Sequence, residues 1–233
     1  MNEAIVDGTQ TVTVMGTAMA HVGGTDTVDV TDDDVPELTV AIATADFSEN
    51  GGSTTATVSR NTDTIDDLTV TLASSDTDEA TVPATVTIAA GQTTSPEFSI
   101  NGVDEAIADG TRTITVTGGA MAHADGTDTV DVTDDEVATL TVVISGADFS
   151  ENGGGTTATV SRNSVTTNAL TVILTSSDTD EATVPATVTI AAGQTTSPEF
   201  TVSGVDDVIV DGTQTVTVTG TAMAHADGNA GQS

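Results

Sequence analysis

Cysteine, lysine, tryptophan and tyrosine are all missing from this chain, and each absence removes a class of chemistry. Without cysteine there is no disulfide to hold the fold, no thiolate ligand and no thiol nucleophile. Four phenylalanines are the whole aromatic complement, so no platform exists on which a sugar ring could stack in a cleft. The only cations of lysine or arginine type are Arg60, Arg112 and Arg162, set against thirty-six acidic residues for a formal charge of −33. Such a surface repels polyphosphate, which excludes nucleic acid as a partner, and it disfavours anionic membranes for the same reason. No apolar run approaches the length of a membrane-spanning helix. The first residues show neither the basic n-region nor the apolar h-region of a secretion signal.

What is present is repetition. Gly24-Thr-Asp-Thr-Val-Asp-Val-Thr-Asp-Asp33 returns without change as Gly126-Thr-Asp-Thr-Val-Asp-Val-Thr-Asp-Asp135, an offset of 102 residues. Phe47-Ser-Glu-Asn-Gly-Gly52 returns as Phe149-Ser-Glu-Asn-Gly-Gly154, and Gly91-Gln-Thr-Thr-Ser-Pro96 as Gly193-Gln-Thr-Thr-Ser-Pro198, at the same offset. The chain is therefore a tandem array. Residues 1–34 are expected to be the C-terminal fragment of one repeat (strands F and G), 35–136 a complete repeat, and 137–233 a second repeat lacking its last strand. Because the first residues match the interior of the next repeat, the chain is expected to be a piece of something longer.

Alternation of apolar and polar residues gives seven strand candidates in the complete repeat. They cover 38–43 (A), 54–60 (B), 68–74 (C), 84–89 (D), 97–103 (E), 111–117 (F) and 127–133 (G). Threonine fills most outward positions, as suits a solvated sheet face, and no segment carries a sustained helical period. The fold class expected is all-β: tandem, immunoglobulin-like, seven-stranded antiparallel β-sandwiches with aliphatic cores. Phe47, Phe98, Phe149 and Phe200 are expected in those cores.

Strand parity then locates the acids. If successive strands alternate in direction, the A–B, C–D and E–F loops and the exit from G share one end of the sandwich. Glu49, Asp76, Asp78, Glu79, Asp104, Glu105, Asp109, Asp134 and Asp135 fall there in the first repeat. Converging carboxylates cannot all stay ionised unless protons or cations offset their repulsion. A hard cation with six to eight oxygen ligands is the natural solution, which for flexible carboxylate sites is calcium rather than magnesium. Zinc and copper are disfavoured by the lack of cysteine and by histidines spaced one repeat apart. Surface acidity of the kind that suits high salt is the alternative.

Phe-Ser-Glu-Asn-Gly-Gly, followed by Val-Asp-Glu/Asp-x-x-x-Asp-Gly-Thr and then Thr-Asp-Asp-Asp/Glu, resembles the Calx-beta motif of sodium–calcium exchangers and of tandem repeats in bacterial surface proteins. The resemblance implies a seven-stranded sandwich with calcium at one end. It implies ligand roles for Glu49, Asp78, Asp104, Glu105, Asp109, Asp134 and Asp135, and for Glu151, Asp180, Asp206, Asp207 and Asp211 in the second repeat. Two departures stand out. Where the family often has a further glutamate, this chain has Arg112 or Gln214. The second repeat also lacks the terminal aspartates, so its site is expected to be weaker or incomplete.

His21, His123 and His225 occupy equivalent F–G turns and are expected to pack or cap there. No Gly-x-Ser-x-Gly, no clefted His–Asp pair and no phosphate-binding loop occurs, and no enzymatic activity is expected. The expected function is that of a calcium-binding structural repeat module of an extracellular or cell-surface bacterial protein, a stalk or adhesive region. Calcium would stiffen the junctions between neighbouring repeats. An acidic spacer held folded by general charge screening is the competing reading. Self-association is a further expectation, with the G-like strand at Thr25–Val30 of one molecule completing the C-terminal domain of the next.

Overall fold

Runs of alternating threonine and valine or isoleucine pair as ladders of extended chain, and in the computed structural model every regular element among the described residues is a strand. The structure describes residues 5–146, 148–210 and 212–223, and the backbone of 228–232. Among the described residues no helix is long and apolar enough to cross a membrane. The chain divides into two compact units, residues 1–105 with 111–133, and residues 106–110 with 134–233.

The first unit opens with a two-stranded antiparallel hairpin, β1 (Gln10–Gly16) and β2 (Gly24–Val30). Nine strands follow. They are β3 (Leu38–Ile42), β4 (Asp46–Ser48), β5 (Ser53–Arg60), β6 (Leu68–Ser74), β7 (Ala80–Thr81), β8 (Thr85–Ile88), β9 (Phe98–Gly102), β10 (Arg112–Gly119) and β11 (Gly126–Thr133). One sheet has the order β3-β5-β9-β7 and the other β4-β11-β10-β6-β8. Every pairing is antiparallel except β4 with β11. Between the sheets lie Val58, Val70, Ile88, Ile100, Ile114 and Val116, all fully buried, with Phe47 and Phe98 at the margins. Each of the seven expected stretches holds a strand. Two short strands, β4 and β7, were not expected and bring the repeat to nine.

The second unit repeats the plan with β12 (Leu140–Ile144), β13 (Gly155–Arg162), β14 (Leu170–Ser176), β15 (Ala182–Thr183), β16 (Thr187–Ile190), β17 (Phe200–Gly204), β18 (Val216–Thr221) and β19 (Gly228–Gln232). Its sheets run β12-β13-β17-β15 and β16-β14-β18-β19. The sequence reading ends this repeat without a G strand, yet Gly228–Gln232 pairs with β18 in the register that β11 takes against β10: Val216 faces Gln232 as Ile114 faces Val130. Asp148–Ser150, the counterpart of β4, forms no strand.

The compact units do not follow the repeat boundaries. Residues 106–110, expected in the E–F loop of the complete repeat, belong to the second unit, where the Ala108 N–H donates to Asn163 O (2.9 Å).

Candidate metal centre

The A–B turn places Glu49 through two close backbone approaches. Its N–H donates to Thr133 O (3.1 Å), so the turn is tied to the end of β11. Gly102, at the end of β9, crosses it so tightly that a Cβ there would lie 2.6 Å from Glu49 O. Only glycine fits at that crossing, and Gly204 meets Glu151 in the same way. The Val103 N–H donates to Glu79 O (2.9 Å), bringing the C–D segment to the same place. Within the first unit, then, the A–B turn, the C–D segment and the exits of β9 and β11 meet at one end, as strand parity requires.

Burial sorts the carboxylates at that end. Glu49 is 1% exposed and Glu79 5% exposed, whereas Asp78 and Asp104 stand in solvent and Glu105 is half-buried. Carboxylate oxygens of Glu79 and Glu105 lie within 4.8 Å of each other. Arg112 approaches Glu79 at 3.7 Å from a side chain half in solvent, so a protein cation stands where the resemblance implies a further ligand. The Asp78 N–H donates to Asp76 Oδ1 (3.1 Å), in an exposed turn.

In the second unit, oxygens of Asp134 and Glu136 lie within 4.8 Å, as do those of Asp135 and Glu136. Asp134 does more than offer a ligand. Its Oδ2 accepts the N–H groups of Asp109 (2.7 Å) and Gly110, and its Oδ1 accepts that of Glu136 (2.7 Å). Burial pushes this carboxyl up, but those N–H groups and the Glu136 side chain outweigh burial and hold it below the usual aspartate range. Oε2 of Glu136 is buried without a hydrogen-bond partner.

The same latch occurs one repeat earlier, inside the first unit. Asp32 Oδ2 accepts from Asp7 (2.8 Å) and Gly8 (2.9 Å), and Oδ1 from Asp34 (2.9 Å). The Asp34 and Gly8 N–H groups, with that of Asp7, lower this carboxyl against a smaller effect of desolvation. Asp34 moves the other way, raised first by desolvation and then by Asp32, Asp33, Asp7 and Glu37. Oxygens of Asp32, Asp33 and Asp34 come within 4.8 Å of one another.

The second repeat is looser. Glu151 is only half-buried, and with Glu181 it lines a cavity of about 390 Å3. Asp180 and Asp206 are exposed, while Asp207 accepts the Ile209 N–H (2.8 Å). Asp211 lies outside the described residues, as does His225. No three carboxylates of the second repeat come together among the described residues. The histidines sit in their turns: a ring nitrogen of His21 meets Met19 O (3.1 Å) and one of His123 meets Met121 O (3.0 Å).

Glu136 and the Asp32–Asp34 cluster were not among the expected site residues, and Glu79 was placed at the acidic end without a ligand role. Repetition marks Glu79 as Glu181, but nothing local in the sequence marks its burial. The donors are all carboxylate oxygens, some held out of water, and this set fits a hard divalent cation.

No family model matches the chain, and no curated protein matches it. Among solved structures, a tetra-tandem repeat in the extending region of a large adhesion protein aligns over 97% of this chain and 56% of its own, at 24% identity and a TM-score of 0.47. The calcium binding domain CBD12 of CALX1.1 aligns over 78% of this chain and 79% of its own, at 12% identity and a TM-score of 0.29. A glycosyl hydrolase family 2 member from Bacteroides cellulosilyticus aligns over 86% of this chain, which spans 29% of that protein, at 10% identity and a TM-score of 0.35. Likeness at this level assigns the chain neither a family nor an activity.

Proposed function

We propose that the chain is a non-enzymatic, calcium-binding structural repeat module of an extracellular surface protein. The observation that supports this most is the burial of Glu49 and Glu79 at the loop end of a sandwich that carries little positive charge. Burying a carboxylate is costly unless a cation, a proton or several donors offset it. In this reading Glu49, Asp78, Asp104, Glu105, Asp109, Asp134 and Asp135 supply ligands in the complete repeat, joined by Glu79 and Glu136. Glu151, Asp180, Asp206, Asp207 and Asp211 do so more weakly in the second. Calcium would supply charge neutralisation and would order the connecting segment that carries Asp134 and Asp135.

Binding to the folded state alone stabilises it by RT ln(1 + [L]/Kd), about 2.7 kcal/mol at a hundredfold excess over Kd. Thermal melting in chelator, and then in calcium, magnesium and sodium chloride at matched ionic strength, tests the reading. Calcium should raise the melting temperature well beyond the other two salts, and Glu49→Gln should remove most of that excess. Equal rises in all three salts would replace this reading with the acidic spacer. Two features favour that second reading: Arg112 already supplies Glu79 with a cation, and backbone N–H groups already serve Asp32 and Asp134.

A further inference from the structure

Three asparagines in this chain precede glycine: Asn50, Asn101 and Asn152. Such a pair can close on itself, because a glycine nitrogen, unhindered by a side chain, reaches the amide carbon of the asparagine before it. All three asparagines are exposed, so neither sequence nor exposure separates them. The backbone does.

Asn101-Gly102 ends β9 and is held from both sides. Asn101 pairs with Ser53 of β5 and Thr81 of β7, and Gly102 with Ala80. The Gly102 N–H donates to Gly52 O (3.0 Å), and the A–B turn crosses this glycine at the close approach to Glu49 described above. The Gly102 nitrogen can swing onto the Asn101 side chain only if the β9 ladder opens. Asn50-Gly51 and Asn152-Gly153 lie in A–B turns, outside any ladder. Gly51 has φ +69° and Gly153 φ +73°, and a Cβ built on either would meet nothing within 4 Å. Each N–H donates within its own turn, Gly51 to Glu49 O (2.9 Å) and Gly153 to Glu151 O (2.8 Å). Breaking that bond disturbs no strand pairing, so freeing the nitrogen costs far less here than in β9.

We propose that the A–B turns are modification sites at which Asn50 and Asn152 deamidate while Asn101 is preserved. The glycine nitrogen gives its proton to solvent and attacks Cγ of the preceding asparagine. A C–N bond forms, closing a five-membered succinimide, and the Cγ–Nδ2 bond breaks to release ammonia. Water then opens the ring to isoaspartate or aspartate, so one water enters for each ammonia lost. Each event adds a carboxylate beside Glu49 or Glu151, on a chain whose formal charge is already −33. In the isoaspartate product the main chain runs through the former side chain and is one atom longer. In the first repeat that change falls in the turn that ties Glu49 to Thr133. The acidic end is thus altered as the molecule ages, whether or not it holds a metal.

The test is mass spectrometry of peptic peptides after incubation of the full chain at mildly alkaline pH, folded and in concentrated urea. In the folded chain, the peptides holding Asn50 and Asn152 should gain one mass unit, NH2 exchanged for OH, about tenfold or more faster than the peptide holding Asn101. In urea the three should react at similar rates, since all are Asn-Gly. The double variant Asn50→Gln with Asn152→Gln should keep the parent's melting and should not form the more acidic species that anion exchange resolves from the aged parent. Equal rates at Asn50 and Asn101 in the folded chain overturn the proposal. So does a lag at Asn101 that persists in urea, which would assign the difference to neighbouring residues rather than to the fold.

Discussion

Asp32 and Asp134 each tie together backbone segments about two dozen residues apart with a single side chain. Their carboxyls sit below the usual aspartate range because N–H groups favour the ionised form. A lowered folded-state value means that the stability is present above the unfolded value and is lost as pH falls through the folded one. Asp34, raised, has the opposite sign, and its protonation relieves repulsion first. Stability should therefore rise slightly as pH falls toward the ordinary aspartate range, then drop as pH falls below it. Asp134→Asn should cost about 1 kcal/mol at neutral pH after allowance for solvent screening, and should flatten the acid limb of a pH series of urea denaturation curves. Asp134 was legible in the sequence as an acid repeated at the offset of 102 residues. Its use as a backbone latch was not, because the N–H groups it accepts lie in a distant loop.

Hairpins β1–β2 and β10–β11 show how little of an element's stability is intrinsic to its sequence. Register and most residues agree, yet Val14 is 62% exposed where Val116 is fully buried. Val116→Ala should lower the unfolding free energy by about 2 kcal/mol, through lost transfer and a residual cavity. Val14→Ala should change it by less than about 0.5 kcal/mol, and chemical denaturation of the two variants makes the comparison. Alternation of threonine with valine or isoleucine made the long strands readable. β4 and β7 were not readable, since three and two residues are too few to show a period. Each exists only because a distant partner offers an edge: the end of β11 for β4, and Asn101–Gly102 for β7.

At the scale of the whole molecule, thirty-six acidic residues are set against three arginines, and those arginines are not free to offset them. Arg60 and Arg162 are 8% and 7% exposed. Arg60 donates to Gln92 O and Asp66 O, and Arg162 to Gln194 O and Asn168 O, so each guanidinium clamps a loop through carbonyls. Arg112 alone is half in solvent, at the start of β10. With no lysine, a protease that cuts after basic residues has three sites in this chain, and folding hides two of them. Limited trypsin digestion should cleave first after Arg112, and after Arg60 or Arg162 only at rates set by the opening of the repeat that holds each. Early cleavage at Arg60 in the folded chain would contradict the clamp. The clamps thus give each repeat an internal reporter of its own unfolding, and make the array a poor substrate for such proteases for as long as it stays folded.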